Sequence, residues 1–241
     1  DDGSSQEEAD LLLQIAKRFP HTLVIKGNGP RGFGAACNAG ALFAQSKRIL
    51  FLNSDCLVGP STIGALLSVL ERERSVGMVC PVANSAANLS VDIPRGRSFL
   101  ELDRVLAKQA RGNSVTHDAC TVVGHCLMVN RDCWVDVGGF DLSWGRGYGE
   151  ESDLQMRAEK HGWYAAVTGD TYVYHFGGGS FGAIAREQAA LQTKNHRRFM
   201  KLWTPEYRKL QSRALGRDVI RETEMRLAAS LPHQQKIDVL F

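Results

Sequence analysis

Ile49-Leu50-Phe51-Leu52-Asn53-Ser54-Asp55 sets four consecutive apolar residues directly before a polar turn that ends in a carboxylate. A short run apolar on both faces reads as a strand buried in a sheet covered on both sides. Asp55 then lies at the carboxyl end of that strand, where open α/β sheets bind their ligands. A carboxylate there is a hard oxygen ligand for a divalent cation, although a turn Asp that merely caps the next element has the same local sequence.

The neighbouring segments repeat the strand and helix alternation. Ser5 with Glu8 reads as a capping box for a helix starting near residue 6, with Leu11, Leu12, Ile15 and Phe19 on one face, ended by Pro20. Leu23-Val24-Ile25 reads as a short buried strand, Gly34 to Gln45 as an Ala-rich helix, Pro60-Ser61 as the opening of a helix to about Arg72, and Val76 to Cys80 as a strand. These are successive β/α units of a parallel sheet. Beyond residue 81 the pattern is mixed: a polar stretch from Asn84 to Arg97, a helix from Phe99 to Ala110, and a strand from Cys120 to Val129 interrupted by Gly124. A short helix then ends at Gly138-Gly139, and a glycine- and aromatic-rich loop precedes a helix from Glu150 to His161. Tyr164 to Val167 and Thr171 to Tyr174 read as two short strands, followed by a long helix from about Ile184 to Leu202. After Pro205 the chain is charged and helical without a clear apolar partner, which reads as an extension leading to another module.

The bulk numbers narrow the class. With 241 residues, 44% of them hydrophobic, the chain is long enough for one substantial domain with its own core. Its net charge of +3, from 29 basic and 26 acidic residues, offers no global field for nucleic acid. The six cysteines include no C-x-x-C pair and no zinc spacing, so they read as buried reduced thiols. No apolar run reaches the roughly 20 residues that span a bilayer. The expectation is a soluble domain on the cytoplasmic side. The basic patch Lys194-Asn195-His196-Arg197-Arg198 reads as a solvated helix face, with a phosphate or membrane-surface role as the alternative.

Three further motifs carry chemistry. Gly149-Glu150-Glu151-Ser152-Asp153 opens a helix whose dipole favours charged carboxylates, with Trp144 and Tyr148 upstream as sugar-stacking surfaces. Only part of that cluster can face a site, because Glu151 points about 100° away from Glu150. His175 follows an aromatic, β-branched strand and precedes Gly177-Gly178-Gly179-Ser180, a loop whose backbone can approach phosphate oxygens closely. A neutral imidazole beside a carboxylate suits Mn²⁺ better than Mg²⁺. Gly27-Asn28-Gly29-Pro30-Arg31-Gly32 matches the dinucleotide fingerprint G-x-G-x-x-G, and Asp55 lies about where a ribose-binding acid is sought. Against a dehydrogenase, Pro30 stiffens the loop, and redox chemistry gives the acidic helix and His175 no role.

Taken in order, Asp1-Asp2-Gly3-Ser4-Ser5, Asn28-x-x-x-Gly32, Leu52-Asn53-Ser54-Asp55, Gly138-Gly139-Phe140-Asp141, Gly147-Tyr148-Gly149-Glu150-Glu151-Ser152-Asp153 and His175 with Gly178 and Ser180 resemble glycosyltransferase family 2, of the GT-A fold. The resemblance covers about Asp1 to Trp203. It implies a GT-A-like, Rossmann-type open sheet with helices on both faces, mixed in its second half, and a fragment lacking the family's first β/α unit and hence its N-terminal strands. It divides residues 1–203 into a nucleotide-binding part to about 81 and an acceptor part from about 82, with 204–241 as a helical extension. It implies transfer of a sugar, with inversion, from a nucleotide-diphosphate donor to a hydroxyl of a glycan, lipid-linked or protein acceptor. Asp55 and His175 would hold the divalent cation, Mn²⁺ or Mg²⁺; Asp2, Asn28, Gly32, Asn53, Gly178 and Ser180 would contact the donor. The family usually has Glu-Asp where this chain has Glu150-Glu151, so Glu151 aligns with the general base, and Glu150 and Asp153 remain alternatives. A silent sugar-nucleotide-binding module is the rival from outside catalysis.

Overall fold

The computed structural model describes residues 1–110, 116–118, 121–177, 185–214 and 218–231. Its elements run α1 (Gln6–Ala16), α2 (Phe33–Phe43), β1 (Arg48–Leu52), β2 (Cys56–Leu57), α3 (Thr62–Arg72), β3 (Val76–Ala83), α4 (Phe99–Ala110), β4 (Thr116–Asp118), β5 (Cys126–Asn130), α5 (Arg131–Val137), α6 (Glu150–Lys160), β6 (Tyr164–His175), α7 (Ala185–Ala214) and α8 (Val219–Ser230).

The sheet order is β1-β5-β3-β6-β2, with β4 also on β6. Strand β5 is antiparallel to both β1 and β3, whereas β3 and β6 are parallel. Strands β1, β3 and β6 therefore point the same way, and β5 runs against them. The carboxyl ends of three strands and the amino end of the fourth meet at one edge of the sheet. The first half is thus not a purely parallel sheet: β1 is separated from β3 by a strand that comes later in the chain, an arrangement that local periodicity does not encode.

Most elements form where the residue pattern places them, and their ends have chemical causes. Ser5 accepts from the Glu8 backbone while Glu8 accepts from the Ser5 N–H at 2.9 Å, so α1 starts with a capping box. Gly138, at φ 74°, ends α5 in the left-handed conformation that favours glycine. Every residue of β3 and β5 is buried, as strands covered on both faces require. Leu66, Leu70, Met78, Leu102, Leu127 and Leu154 are fully buried at the heart of the core.

Several expectations are corrected. Leu23 to Ile25 forms no strand. Its backbone bonds are those joining Asp1 to Ile25 and Gly27, both 2.8 Å, and Leu23 is exposed. Helix α1 ends at Ala16, short of Pro20; its Leu11, Leu12 and Ile15 are exposed, as is Phe19 beyond it, and only Ala9 of the helix is buried. The strand expected from Cys120 begins at Cys126, and residues 121–125 form a turn, which is where Gly124 sits. The two short strands expected near 164 and 174 are one strand, β6, with an irregularity opposite Pro81 and Val82. The long helix passes through Pro205 to Ala214. Proline costs a helix one backbone bond, and burial of Phe199 and Leu210 with Trp144 and Met156 offsets it. Helix α8 buries Val219, Thr223 and Leu227, and its Arg226 bonds Asp170 at 3.1 Å and the Leu106 carbonyl at 3.0 Å.

One buried carboxylate fixes the irregular part of β6. Asp103 of α4, 1% exposed, accepts from Ser61 Oγ (2.5 Å), Thr171 Oγ1 (2.6 Å) and the Tyr172 N–H (3.3 Å). Gly59 has to be small, because a Cβ there would come within 2.2 Å of Asp103 Oδ2. Asp103→Ala leaves these donors unpaired in the core. The expected loss is about 3 kcal/mol of unfolding free energy, read by urea denaturation.

Candidate active site

The strand ends define the site. Asp55 follows β1, His175 ends β6, Asn84 and Ser85 follow β3, and Gly124 and His125 precede β5. All but Asn84 line one open cleft of about 1840 Å³. That is well above the roughly 300–1,000 Å³ of a small-ligand pocket, and suits two substrates together.

Backbone bonds lock the ends to one another. The Asn53 N–H donates to the His125 carbonyl at 2.9 Å, and the Phe176 N–H to the Asp55 carbonyl at 2.9 Å. Asn84 clamps His175 on both sides, accepting from its N–H at 2.7 Å and donating to its carbonyl at 2.9 Å.

The pairing of Asp55 with His175 carries most information. His175 Nδ1 is 2.6 Å from the Ser85 carbonyl, which can only accept, so Nδ1 holds the proton. In the neutral ring the Nε2 lone pair then faces Asp55 Oδ1 at 3.4 Å, and Oδ1 is buried with no hydrogen-bond partner among the described residues. Two acceptors face each other, and a cation between them resolves the conflict. A carbonyl on the far nitrogen is also the usual way to orient a metal-binding imidazole. Asp55, Cys56 and His175 offer ligand atoms within 4.8 Å of one another. Cys56 is the weak member: burial, then the Asp55 charge, pushes its thiol up to about 12, and Sγ donates to the His125 carbonyl at 3.3 Å. An oxygen and nitrogen pair without thiolate fits Mn²⁺ or Mg²⁺ rather than a soft ion.

The acidic helix supplies the opposite wall. Glu151 and Gln155, one turn apart on α6, grip alternate residues of the turn before β5: Gln155 Oε1 accepts from Val122 N–H at 2.9 Å and Glu151 Oε1 from Gly124 N–H at 3.3 Å. Glu150 is 4% exposed, and its Oε2 has no partner among the described residues. Burial raises both carboxyls above the ordinary range; the Glu151 charge adds to the rise at Glu150, while backbone N–H groups, Gly124 among them, oppose it at Glu151. Both line the cleft. Asp153 does not; it is held by Arg157 at 2.8 Å and Trp203 Nε1 at 3.0 Å, facing α7.

The remaining residues divide. Asp2 and Gly32 line the cleft, and the Asp2 carboxylate accepts from the N–H groups of Arg31 (2.9 Å) and Gly32 (2.6 Å). The fingerprint loop therefore spends its donors on an internal anion, which explains how it can match G-x-G-x-x-G without cradling a pyrophosphate. Gly32, at φ 100°, faces the Arg146 backbone, where a Cβ would approach to 2.5 Å. Asn53 lines the cleft, while Asn28 is exposed and outside it. Gly178 and Ser180 lie outside the described residues. Trp144 is not a stacking surface: it is 2% exposed, packed with Met156 and Phe199 and covered by Arg198, whose guanidinium is 4.3 Å from its ring centre. Tyr148 does line the cleft, with a left-handed φ of 69° that is costly for a side chain of its size. Sequence reasoning missed Asn84, Ser85 and His125, which carry no motif of their own.

The family model for glycosyl transferase family 2 matches residues 1–135, the span from the acidic turn at Asp2 through the whole of β5. The chain belongs to glycosyl transferase family 2. This family 2 chain is 33% identical over 155 residues to the uncharacterized protein Rv1525 of Mycobacterium tuberculosis, covering 63% of the chain and 53% of that protein. It is 24% identical over 229 residues to N-acetylgalactosaminyltransferase 4 of Drosophila melanogaster, covering 86% and 34%. The chain thus spans about half the length, or less, of these curated relatives. Its fold is that of the GT-A structures it resembles. Mannosyltransferase PcManGT from Pyrobaculum calidifontis, in complex with GDP-Man and Mn²⁺, has a TM-score of 0.61 at 17% identity, over 98% of this chain and 65% of that one. GalNAc-T7 with UDP, GalNAc and Mn²⁺ has a TM-score of 0.58 at 16% identity, over 92% and 45%. Among the described residues, no helix is long and apolar enough to cross a membrane.

Proposed function

We propose that the chain is the transferase domain of an enzyme that moves a sugar, with inversion, from a nucleotide-diphosphate donor to an acceptor hydroxyl, and depends on a divalent cation. The observation that carries this reading is the unreconciled acceptor pair, Asp55 Oδ1 and His175 Nε2, in one cleft with the half-buried acid Glu151. The nucleotide part is residues 1–81 and the acceptor part begins at 82; α7 crosses the expected boundary at 203 and α8 packs on the same core, so the described residues beyond it belong with that part.

Asp55 and His175 would hold the cation, through Oδ1 and Nε2. When bound, it supplies positive charge beside the diphosphate as that group departs. Glu151 is the general base, since it borders the cleft and its raised affinity for a proton suits a base working near neutrality. The acceptor oxygen bonds the anomeric carbon while the bond from that carbon to the phosphate oxygen breaks. The bonding pair leaves with the diphosphate, and the acceptor proton passes to a Glu151 oxygen. Asp2 and Gly32 shape the wall on the nucleoside side, and Glu150 stands beside the base as a neutral acid.

Thermal shift with a panel of UDP- and GDP-linked hexoses, with and without Mn²⁺, tests the reading. Stabilisation by a donor only when Mn²⁺ is present is expected, and no stabilisation by any donor would contradict it.

Three predictions concern the two cleft acids. Transfer should rise with pH along a limb displaced above the ordinary carboxylate range, because Glu151 must lose its proton to act and burial delays that loss. Stability should move the other way. Acids whose folded pKa is raised bind their protons more tightly folded than unfolded, so their contribution falls as pH rises from the unfolded value through the folded one. Melting curves of Glu150→Gln against wild type should show a stabilisation that grows from pH 5 to pH 8. Gly124→Ala should displace the base, since a Cβ there would sit 2.6 Å from Glu151 Oε1 and 2.9 Å from the Phe33 ring. The expected effect is about tenfold or more in kcat with Mn²⁺ binding unchanged, measured by steady-state transfer.

A further inference from the structure

His125 lines the cleft beside the cation pair, and among the described residues its side-chain polar atoms make no hydrogen bond. It is 2% exposed, and neither ring nitrogen has a hydrogen-bond partner among the described residues. Buried polar groups are almost always paired, so an imidazole orphaned at both nitrogens implies a missing ligand.

Its placement narrows what that ligand is. The ring stacks on His175, with centres 5.4 Å apart and planes 20° from parallel. Its own carbonyl receives Asn53 N–H and Cys56 Sγ, while the preceding residue, Gly124, donates to Glu151. His125 is therefore tied on one side to the residues that would hold the cation and on the other to the residue that would take the acceptor proton. It is not itself in the ligand group of Asp55, Cys56 and His175. Between a diphosphate on the cation and an acceptor at the base lies the sugar being transferred.

We propose that His125 binds the transferred sugar, one ring nitrogen hydrogen-bonding a hydroxyl of the hexosyl group, and so discriminates nucleotide sugar from bare nucleotide. This rests on the donor-site reading above. A neutral imidazole offers one donor and one acceptor, matching a hydroxyl that can do both. A site built to bond a hydroxyl rejects ligands that lack it, because its own polar atom then stays buried and unpaired.

The test is calorimetric titration of wild type, His125→Phe and His125→Gln with UDP, GDP and their hexose conjugates in Mn²⁺, with melting curves to confirm folding. His125→Phe keeps a flat ring against His175 but no nitrogen, and His125→Gln keeps an amide. The expected result is nucleoside diphosphate binding within about twofold of wild type in both variants. Nucleotide-sugar binding should fall about tenfold or more in His125→Phe and less in His125→Gln. If wild type binds both ligand kinds and the variants keep the wild-type ratio between them, the inference is overturned while the donor site stands. If wild type binds neither kind, the donor-site reading is overturned, and the inference with it.

Discussion

Glu151→Gln lowers kcat for sugar transfer by about 10²–10⁴-fold, the range of a lost general base, while donor affinity in Mn²⁺ stays near that of wild type. The amide is close in size to the carboxyl and keeps an oxygen to accept from Gly124 N–H at the 3.3 Å of the native contact, so the turn before β5 is held. What is lost is the atom that takes the proton. Because burial raises the Glu151 carboxyl, its neutral form is well tolerated, and the substitution should not unfold the chain. Glu150→Gln serves as the internal comparison. Should Glu150→Gln lose transfer and Glu151→Gln keep it, the base is the neighbouring acid. The expected pattern is a collapse of kcat with little change in donor Kd, read by steady-state kinetics together with calorimetry.

Asp55→Asn removes donor binding and turnover together. The amide can place an N–H₂ against the lone pair of His175 Nε2, replacing two facing acceptors at 3.4 Å by a hydrogen bond. The variant is therefore expected to be at least as stable as wild type in the absence of cation while losing function, the signature of a site kept at a cost for its ligand. A fall of about 100-fold or more in kcat/KM is expected, on the scale of removing a group that stabilises charge in the transition state. Equal melting temperatures with lost transfer would separate this from misfolding. Near-normal transfer by Asp55→Asn would remove Asp55 from the cation site.

Where residues decide structure by themselves, the sequence was readable. Ile49 to Leu52 forms β1, although as the first strand in the sheet order with Ile49 and Phe51 buried and Leu52 exposed rather than covered on both faces, and the carboxylate that follows lines the cleft. The capping box at Ser5 and Glu8 and the left-handed Gly138 end their helices as expected. Where a partner decides, it was not. The spacing of Leu11, Leu12, Ile15 and Phe19 makes one apolar face but cannot say whether anything covers it, and in the structure they are exposed. Leu23 to Ile25 has strand composition without a ladder to join. The sugar-stacking expectation for Trp144 failed because residues of α6 and α7, distant in sequence, pack over it. His125 was invisible for a topological reason: only because β5 runs antiparallel does its amino end, not its carboxyl end, meet Asp55 and His175. Of the three acids, Arg157 and Trp203 hold Asp153 away from the cleft, while Glu150 and Glu151 both line it, a division set by neighbours distant in sequence.

Pulsed electron paramagnetic resonance on protein titrated with Mn²⁺ in the presence of UDP interrogates the cation site itself. Bound Mn²⁺ with nitrogen hyperfine coupling from one imidazole, retained in His125→Phe and abolished in His175→Ala, is the predicted result. Mn²⁺ bound with the same nitrogen coupling in His175→Ala and the same affinity in Asp55→Asn would contradict it.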